Sequence, residues 1–363
     1  MRVLWVFDIL SPTLQQLANR LEQEPGVELE IMARWDQEVP QISPAIPITY
    51  LACRHKLDLA ARKRIREKIR TGMFDVVHAY TSTNLANLIA ACRGLHPMPQ
   101  IVGYRGAIKP LRLLDPANWI TFWHPRLTKI ICVSKATELA LRESGISQSK
   151  LAAIVEGCDP GNLQRLPRSA RSEFDIPPDA FVVGSVANMR RVKGIDLLLQ
   201  AAMELSELPD VYYLLIGEAR DPLLSTLAAD PRIANRVRLA GPRPNGAQYM
   251  GLFDVYTCPS RMEGLGMAVI EAMLQKVCPL VTNVGGLPEL VRNGQEGLIV
   301  PTENVGALAD AIRRLYHDPG VRTRLGEAAY NRALNEFSIA AWKDRLVGVY
   351  LDLLSQPAAI ATC

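Results

Sequence analysis

The stretch DVYTCPSRMEGLGMAVIEAM, residues 254–273, decides the fold because three kinds of local structure follow one another within it. DVYTCPS is a short apolar run that is typical of a buried β-strand, and the apolar spacing after Gly266 is typical of an α-helix. Gly264 and Gly266 interrupt helical continuity between the two. The stretch therefore predicts a strand, a glycine-rich loop and a helix that begins near Gly266 or Met267.

Two carboxylates, Glu263 and Glu271, stand in this stretch with seven residues between them. On one continuous helix this spacing would leave their side chains about 80° apart, so they would not meet as an i,i+4 pair. We expect Glu263 to lie in the loop and Glu271 to lie in the second turn of the helix. The alternative is that both are ordinary acids favoured by the positive end of a helix dipole.

The same alternation of short strands and longer helical patterns runs through the whole chain. Apolar strands that alternate with helices predict parallel sheets covered on both faces, and hence an α/β fold of two doubly wound, Rossmann-like domains. The predicted strands of the first half are 2–8, 27–33, 75–80, 100–106 and 129–134, and those of the second half are 181–188, 211–217, 236–241, 254–260, 277–283 and 297–301.

A segment without periodicity separates the two halves. Residues 158–180 are rich in proline and polar residues, which is typical of an inter-domain linker. We therefore predict a first domain at 1–163 and a second at 164–339, facing each other across a cleft. Since ligands of such sheets bind at the carboxyl ends of the strands, that cleft is the expected active site.

The composition favours a cytoplasmic globular protein. The chain has 363 residues, of which 48% are hydrophobic and 21% charged, and no apolar run is long enough for a membrane span. The N-terminal run is too short for a signal peptide. The seven cysteines are odd in number and form no CxxC pair, which argues against a disulfide framework or a structural zinc site.

Positive charge is concentrated in the first domain. Residues 1–163 hold 20 Lys and Arg against 15 Asp and Glu, whereas residues 164–363 hold 21 against 22. Much of the excess lies in residues 54–70, RHKLDLAARKRIREKIR, whose apolar spacing predicts an amphipathic helix with a basic face. Such a face is usually solvated. The functional alternative is a surface that binds anionic lipid at the inner face of a membrane, or an anionic acceptor.

Nucleic acid is not an expected partner. Aromatic residues do not alternate with the cations of the basic segment, and the sequence contains no DNA- or RNA-binding motif.

A basic loop follows the first strand of the second domain, within GSVANMRRVKG, residues 184–194. Because that strand is predicted to end near Ala187, Arg190, Arg191 and Lys193 follow its carboxyl end, where ligands bind. Arginine forks onto phosphate and lysine supplies a mobile point charge, so the loop suits a departing diphosphate. The alternative is a basic surface loop, which fits Arg191 better than the other two.

Five segments of the second half occur in the order and spacing of one family. They are GSVANMRRVKGIDLLLQA, YYLLIGEA, RVRLAG, DVYTCPSRMEGLGMAVIEAM and VTNVGGLPELVRNGQEGLIVP, and FDVVHAY, KIICVSKAT and IVEGCD extend the likeness more faintly into the first half. In these segments the chain resembles the retaining GT-B glycosyltransferases of family 4. The resemblance implies a GT-B fold whose last helix, about 340–363, crosses back onto the first domain.

The resemblance implies a role for each motif residue. Glu263 would contact hydroxyls of the transferred sugar and Glu271 the ribose, while the basic pair, here Arg190 and Lys193, would bind the diphosphate. The other donor-binding candidates are Gly264, Leu265, Gly266, Met267 and Ala268, on the diphosphate, and Asn188 in the basic loop.

The activity that the resemblance implies is sugar transfer with retained anomeric configuration. The donor would be a UDP-sugar, a GDP-sugar or a similar nucleotide sugar. The acceptor would be a glycan, a lipid-linked or a small molecule, in the assembly of cell-surface polysaccharide or glycolipid. We expect no cofactor and no metal, because the sequence contains no Asp-x-Asp motif of the kind that metal-dependent GT-A enzymes carry.

The chain departs from the family pattern at three places. Asn188 stands where the family usually has an arginine, and we assign that charge to Arg190. Arg105, in QIVGYRGAI, stands where the family often has a histidine, and a phosphate is its expected partner. The first loop, FDILSPT, lacks the Gly-Gly pair common there, which leaves backbone approach to a ligand open.

Four residues of the first domain are candidates for the acceptor side. Asp8 and Ser11 follow the first strand and His78 and Tyr80 end a later one, so all four are predicted at the carboxyl edge of the sheet. The alternatives are that Ser11 only caps the following helix and that His78 and Tyr80 are only packed.

Two other functions stay open at this point. A nucleotide-sugar epimerase or a phosphorylase is compatible with the same fold, and an epimerase would isomerise the donor without a second substrate. A non-catalytic nucleotide-sugar-binding protein is the other alternative, and it would not hydrolyse the donor.

Overall fold

The computed structural model describes residues 1–35 and 42–355. Its strands are β1 (Arg2–Ile9), β2 (Glu28–Arg34), β3 (Ile48–Tyr50), β4 (Val76–Ala79), β5 (Gln100–Arg105), β6 (Lys129–Cys132), β7 (Leu151–Ala153), β8 (Phe181–Val186), β9 (Val211–Ile216), β10 (Val237–Gly241), β11 (Val255–Cys258), β12 (Cys278–Thr282) and β13 (Leu298–Val300).

Helices connect most of these strands. They are α1 (Pro12–Glu22), α2 (Leu59–Gly72), α3 (Ser82–Ala91), α4 (Pro116–Trp119), α5 (Lys135–Glu143), α6 (Ile195–Glu204), α7 (Leu223–Ala228), α8 (Met267–Met273), α9 (Leu287–Leu290), α10 (Val305–His317), α11 (Pro319–Glu336) and α12 (Ile339–Ser355).

The chain forms two compact units. The first comprises Met1–Glu156 and the chain from Ile339 onward, and the second comprises Gly157–Ser338. The first boundary therefore falls a few residues before the one predicted at 163/164. The last helix, predicted to cross back, is α12 in the first unit, and residues 356–363 of that prediction lie outside the described residues.

Each unit contains one parallel sheet, which confirms the predicted α/β class. The strand order is β3-β2-β1-β4-β5-β6-β7 in the first unit and β10-β9-β8-β11-β12-β13 in the second. All eleven predicted strands are present. The two that were not predicted, β3 and β7, are three-residue strands at the two edges of the first sheet.

The first sheet is covered on both faces, as its apolar strands require. Leu4 and Val6 of β1 face a core shared with α2, α3 and α5. Trp5 and Phe7, which point the other way, share a core with α1 and α12. This alternation within β1 follows from the two-residue period of a strand, and α12 completes the second face through Trp342, Leu346 and Tyr350.

The strand order of the second unit places its loops for a ligand. The chain runs outward from β8 through β9 to β10 and then returns to β11 on the other side of β8. The loops after β8 and β11 therefore leave the sheet in opposite directions, which opens a crevice at their carboxyl ends. The basic loop and the Glu263 loop follow these two strands.

Among the helices that the structure describes, none is both long enough and apolar enough to cross a bilayer.

Candidate active site

The loops after β8 and β11 are in direct contact at Gly194. Gly194 has a φ of 67°, and a Cβ placed on it would lie 1.9 Å from the carbonyl oxygen of Pro259. Only glycine therefore allows the basic loop to lie against the end of β11. Arg191–Lys193 form a single 3-10 turn before this glycine, and α6 begins directly after it.

This contact brings Lys193 and Glu263 together. The Lys193 Nζ lies 2.6 Å from Glu263 Oε2, and both side chains are largely buried. The Ser260 hydroxyl donates a 3.2 Å hydrogen bond to the same oxygen. The backbone is held as well, since the Gly286 N–H donates to the Glu263 carbonyl at 3.2 Å. The sequence analysis gave the two side chains separate partners, whereas the structure pairs them with each other.

The rest of the motif has the predicted arrangement of loop and helix. Gly266 has a φ of 102° and precedes the first residue of α8, Met267, so Glu263 lies in the loop and Glu271 in the second helical turn. Leu265 is buried, which leaves its backbone rather than its side chain for a ligand. Met267 and Ala268, in the first turn, are partly exposed.

Glu271 is a partly buried carboxylate without an ion-pair partner among residues 1–35 and 42–355. Burial disfavours the charged form and raises the pKa of Glu271 to about 7. Burial raises the pKa of the Tyr256 phenol on β11 well above its usual value, and the charges of Cys258, Glu263 and Glu271 add to this shift. The site thus holds one paired carboxylate and one unpaired carboxylate.

The remaining cations of the basic loop are exposed. Within the part of the chain that the structure describes, the Arg190 side chain has no hydrogen-bond or ion-pair partner, and neighbouring Asn188 is exposed too. Arg191 is exposed, but its carbonyl accepts a 2.7 Å hydrogen bond from Arg261. Arg190 is therefore available for an anion.

The sequence analysis missed two residues of this site, Ser260 and Arg261. Ser260 donates to Glu263, and the side chain of Arg261 binds both oxygens of Asp196 and contacts Glu303. The proximity of Ser260 to Glu263 in the sequence was a usable signal. No signal of this kind exists for Asp196, because it stands 65 positions from Arg261.

Arg105 lies at the end of β5 and is bound by its own loop. Its Nε donates to the Ala107 carbonyl at 3.0 Å, its Nη2 to the Lys109 carbonyl at 2.7 Å, and its guanidinium lies 5.2 Å from the centre of the Phe122 ring. Burial lowers the pKa of Arg105 from its usual value. A phosphate would have to use Nη1 or displace one of these carbonyls, so a phosphate role for Arg105 stays a prediction.

The acceptor-side candidates of the first unit divide into two groups. Ser11 caps α1, since its Oγ accepts a 3.3 Å hydrogen bond from the Leu14 N–H. Asp8 is partly buried near the end of β1. Both lie at the carboxyl edge of the sheet, and an acceptor contact for either of them stays a prediction.

His78 and Tyr80 belong to the core instead. His78 is fully buried, its Nδ1 lies 2.6 Å from the Tyr350 hydroxyl of α12, and burial lowers the pKa of His78 to about 3. The Tyr80 ring stacks on Phe7 and His78 at 4.1 and 4.2 Å, and only 9% of the residue is exposed. Because a buried ring offers no surface to an acceptor, the expectation that His78 faces one is corrected, and the packed alternative describes both residues.

Among residues 1–35 and 42–355, no group of three or more His, Cys, Asp and Glu is arranged to hold a metal ion.

Comparison with known proteins identifies the family. The model "Glycosyltransferase Family 4" matches residues 11–162, and the model "Glycosyl transferases group 1" matches residues 168–332. The lipopolysaccharide core biosynthesis glycosyltransferase LpsE of Rhizobium meliloti is 30% identical over 254 residues, which are 69% of this chain and 71% of that protein. The chain belongs to the group 1 glycosyltransferases of family 4. D-inositol 3-phosphate glycosyltransferase 1 of Catenulispora acidiphila is 28% identical and covers 90% of this chain, which in turn covers 87% of it.

Solved structures of other glycosyltransferases have the same fold. A glycosyltransferase from Rickettsia africae superposes with a TM-score of 0.82 at 21% identity, over 98% of this chain and 99% of that one. The Anabaena protein HepE, solved in complex with UDP, superposes with a TM-score of 0.79 at 19% identity, over 97% of this chain and 100% of that one. This chain therefore has a GT-B fold, as the sequence motifs predicted.

Proposed function

We propose that this glycosyltransferase moves a sugar from a nucleotide diphosphate sugar to an acceptor hydroxyl with retention of anomeric configuration. The observation that carries the proposal is the 2.6 Å pair between Lys193 and Glu263, at the adjoining carboxyl ends of β8 and β11. The pair sets a cation suited to a diphosphate beside a carboxylate suited to sugar hydroxyls. Glu271, farther along the same motif, is the second hydroxyl acceptor, for the ribose.

Donor binding replaces the Lys193–Glu263 pair with two new sets of contacts. Lys193 and the unpaired Arg190 bind the diphosphate, and Glu263 accepts hydrogen bonds from the sugar. In the reaction the bond between the anomeric carbon and the diphosphate oxygen breaks, and the bond to the acceptor oxygen forms on the same face. The departing diphosphate takes the acceptor proton. The two cations stabilise the charge that develops on the leaving group, which is the largest single contribution in reactions of this kind.

A UDP-sugar or a GDP-sugar is the donor we favour, because HepE, which has the same fold, was solved with UDP and with UDP-glucose. Glycan and lipid-linked acceptors are proposed from the name of LpsE, a lipopolysaccharide core enzyme. We assign the diphosphate charge to protein cations instead of a metal, so added chelator should leave turnover unchanged.

A thermal-shift screen with nucleotide sugars of different bases tests the donor proposal. A donor present at 100 times its Kd should stabilise the protein by roughly 2.7 kcal/mol. A rise in melting temperature with one nucleotide sugar and its loss in Lys193→Ala supports the site. Equal stabilisation of both proteins, or stabilisation by none of the nucleotide sugars, would contradict it.

Glu271 should make donor affinity depend on pH. Ribose hydroxyls donate to the ionised carboxylate, and the pKa of about 7 means that this form is reached only as the pH rises from 6 to 8. We therefore expect the Kd of the donor to fall over this range, and binding to release a proton. Glu271→Gln should weaken binding on the order of tenfold at pH 8 and remove the pH dependence, as measured by calorimetric titration.

The stability of the free protein should change in the opposite direction. The pKa of Glu271 is about 7 in the folded protein, above its unfolded value of 4.5. The free energy of unfolding therefore falls as the pH rises from 4.5 to about 7. Glu271→Gln should therefore melt at a higher temperature than the wild type at pH 8 and close to it at pH 5. A variant that binds donor as tightly as the wild type at pH 8 would refute the ribose assignment.

A lipid surface is the remaining proposed partner, through residues 54–70. The helix α2 begins at Leu59. Of the apolar residues predicted to form one side, Ala61, Ile65 and Ile69 are buried, whereas Leu57 and Ala60 are exposed. Most cations of its middle have structural partners: Arg62 binds Asn87 and the Lys56 carbonyl, Arg64 and Arg66 bind backbone carbonyls, and Lys68 pairs with Glu30. Within the described chain, the exposed Arg54, Lys63 and Arg70 have no such partner.

Sedimentation with vesicles tests this surface. Each cation near an anionic bilayer contributes about 1 kcal/mol, so three free cations support weak, salt-sensitive binding to phosphatidylglycerol vesicles. The triple change Arg54→Glu, Lys63→Glu and Arg70→Glu should abolish it. Equal binding to neutral and anionic vesicles, or binding to neither, would rule the surface out.

A further inference from the structure

The side chain of Arg261 joins four separate segments of the second unit. Its Nη1 and Nη2 donate to the two carboxylate oxygens of Asp196 at 2.6 and 2.8 Å, and Nη2 also lies 3.2 Å from Glu303 Oε2. Nη1 donates to the Arg191 carbonyl at 2.7 Å, and the backbone N–H of Arg261 donates to the Val192 carbonyl at 2.8 Å. These contacts involve the basic loop, the first turn of α6, the loop after β11 and the loop after β13.

The location of these contacts relates Arg261 to the reacting pair. Arg191 and Val192 directly precede Lys193, and Arg261 stands two residues before Glu263. Two hydrogen bonds from Arg261, to the Arg191 and Val192 carbonyls, therefore join the two chain segments that carry Lys193 and Glu263, next to the close contact at Gly194. Asp196 is only 4% exposed, so its two bonds to Arg261 are partly shielded from solvent, whereas the bond to the Arg191 carbonyl is exposed.

The positive charge of Arg261 is balanced by two carboxylates of this network. Asp196 and Glu303 are two carboxylates around one guanidinium, and they raise the pKa of Arg261 further above its usual value. A guanidinium that is neutralised in this way adds little positive potential for a diphosphate, in contrast to the unpaired Arg190. Its contribution is geometric: a planar fork with several donors fixes two carboxylate oxygens and a carbonyl at once, which lysine cannot do.

We propose that Arg261 is a positioning residue that holds the basic loop against the Glu263 loop, and so sets the Lys193–Glu263 geometry on which transfer depends. The effect on turnover rests on the proposed function, whereas the effect on the pair itself does not. Displacing a reacting group by about 1 Å can reduce turnover on the order of 100-fold. Loss of the fork should therefore lower kcat more than it raises KM for the donor.

Chemical labelling of Lys193 tests the geometric part without any substrate. A lysine held in an ion pair reacts slowly with acetic anhydride, and mass spectrometry of the digested protein gives the rate at Lys193 alone. Arg261→Lys keeps the charge and removes the fork, so Lys193 should be acetylated several-fold faster than in the wild type. Glu263→Gln removes the ionic partner of Lys193 directly, so its labelling gives the reference rate of acetylation for an unpaired Lys193.

Arg232→Lys is the matched control. Arg232 also binds both oxygens of an aspartate, Asp230, through Nε and Nη2 at 2.9 Å, and it lies before β10, away from the two loops. Its replacement should leave the labelling rate of Lys193 unchanged. An unchanged rate in Arg261→Lys, or an equal rise in Arg232→Lys, would overturn the proposal.

A second variant covers the case in which Arg261→Lys does not fold. Asp196→Asn keeps the size of the side chain and removes the charge that the fork binds, so it should also speed the labelling of Lys193. A wild-type labelling rate in a folded Asp196→Asn protein would overturn the proposal.

With an active donor, the kcat losses of Arg261→Lys and Asp196→Asn should be non-additive, because both changes remove the same interaction. If no donor is turned over, the proposed function fails while the labelling still decides the role of Arg261.

Discussion

Lys193→Ala and Glu263→Ala are each expected to lower kcat for sugar transfer on the order of 100-fold to 1000-fold. Lys193 loses its charge next to the leaving diphosphate, and Glu263 loses the acceptor of the sugar hydroxyls. Each change also leaves the other member of a largely buried, 2.6 Å ion pair without its partner. The measurement is steady-state kinetics with the donor found by the thermal-shift screen.

A second lysine–glutamate pair of the same unit provides the control. The Lys276 Nζ lies 3.0 Å from Glu327, but both side chains are about half exposed. Lys276→Ala should keep wild-type kinetics and cost at most about 1 kcal/mol of stability, as exposed pairs do. Near-normal turnover in either folded single variant would refute the site assignment.

Gly194→Ala is expected to have the largest effect on the structure of the site. A methyl group at this position would lie 1.9 Å from the Pro259 carbonyl oxygen, so the backbone of one loop must move. Adding the cost of the positive φ to that of the displacement, we expect a loss on the order of 3 kcal/mol in the free energy of unfolding. Turnover should fall with it, because Lys193 is the preceding residue.

Gly294→Ala separates the two contributions to this loss. Gly294 has a similar φ of 75°, but a Cβ there meets no atom within 4 Å. This control should lose only the backbone cost of about 1 kcal/mol and keep its activity. Chemical denaturation followed by circular dichroism measures both variants. If Gly194→Ala and Gly294→Ala lose the same stability, the close contact between the loops is not what requires glycine at 194.

Periodicity was sufficient to predict the long elements of the fold. Every strand with a run of apolar residues was found, since burial on both faces of a parallel sheet requires such runs. The strands β3 and β7 were missed because they are three residues long and are paired on one side only, so tertiary contact decides them more than local pattern does. The first unit boundary was misplaced by a few residues because the linker carries no periodic signal on which a boundary can be based.

The candidate site was predictable where its residues share one motif. The glycines of 264–266 placed Glu263 in a loop and Glu271 in a helix, and the structure has both there. The pair of Lys193 with Glu263 was not predictable, because 70 positions separate the two residues. The burial of His78 was equally hidden, since α12 covers it only after the chain has returned from the second unit.

The most direct test of retaining transfer uses the donor alone, with water as the acceptor. Proton NMR of freshly mixed enzyme and donor shows the anomer of the released sugar before it equilibrates in solution. We predict that the first sugar to appear has the anomeric configuration it had in the donor, and that Lys193→Ala releases none. A first product of inverted configuration would contradict the account, and so would an isomerised nucleotide sugar, which is the product of an epimerase.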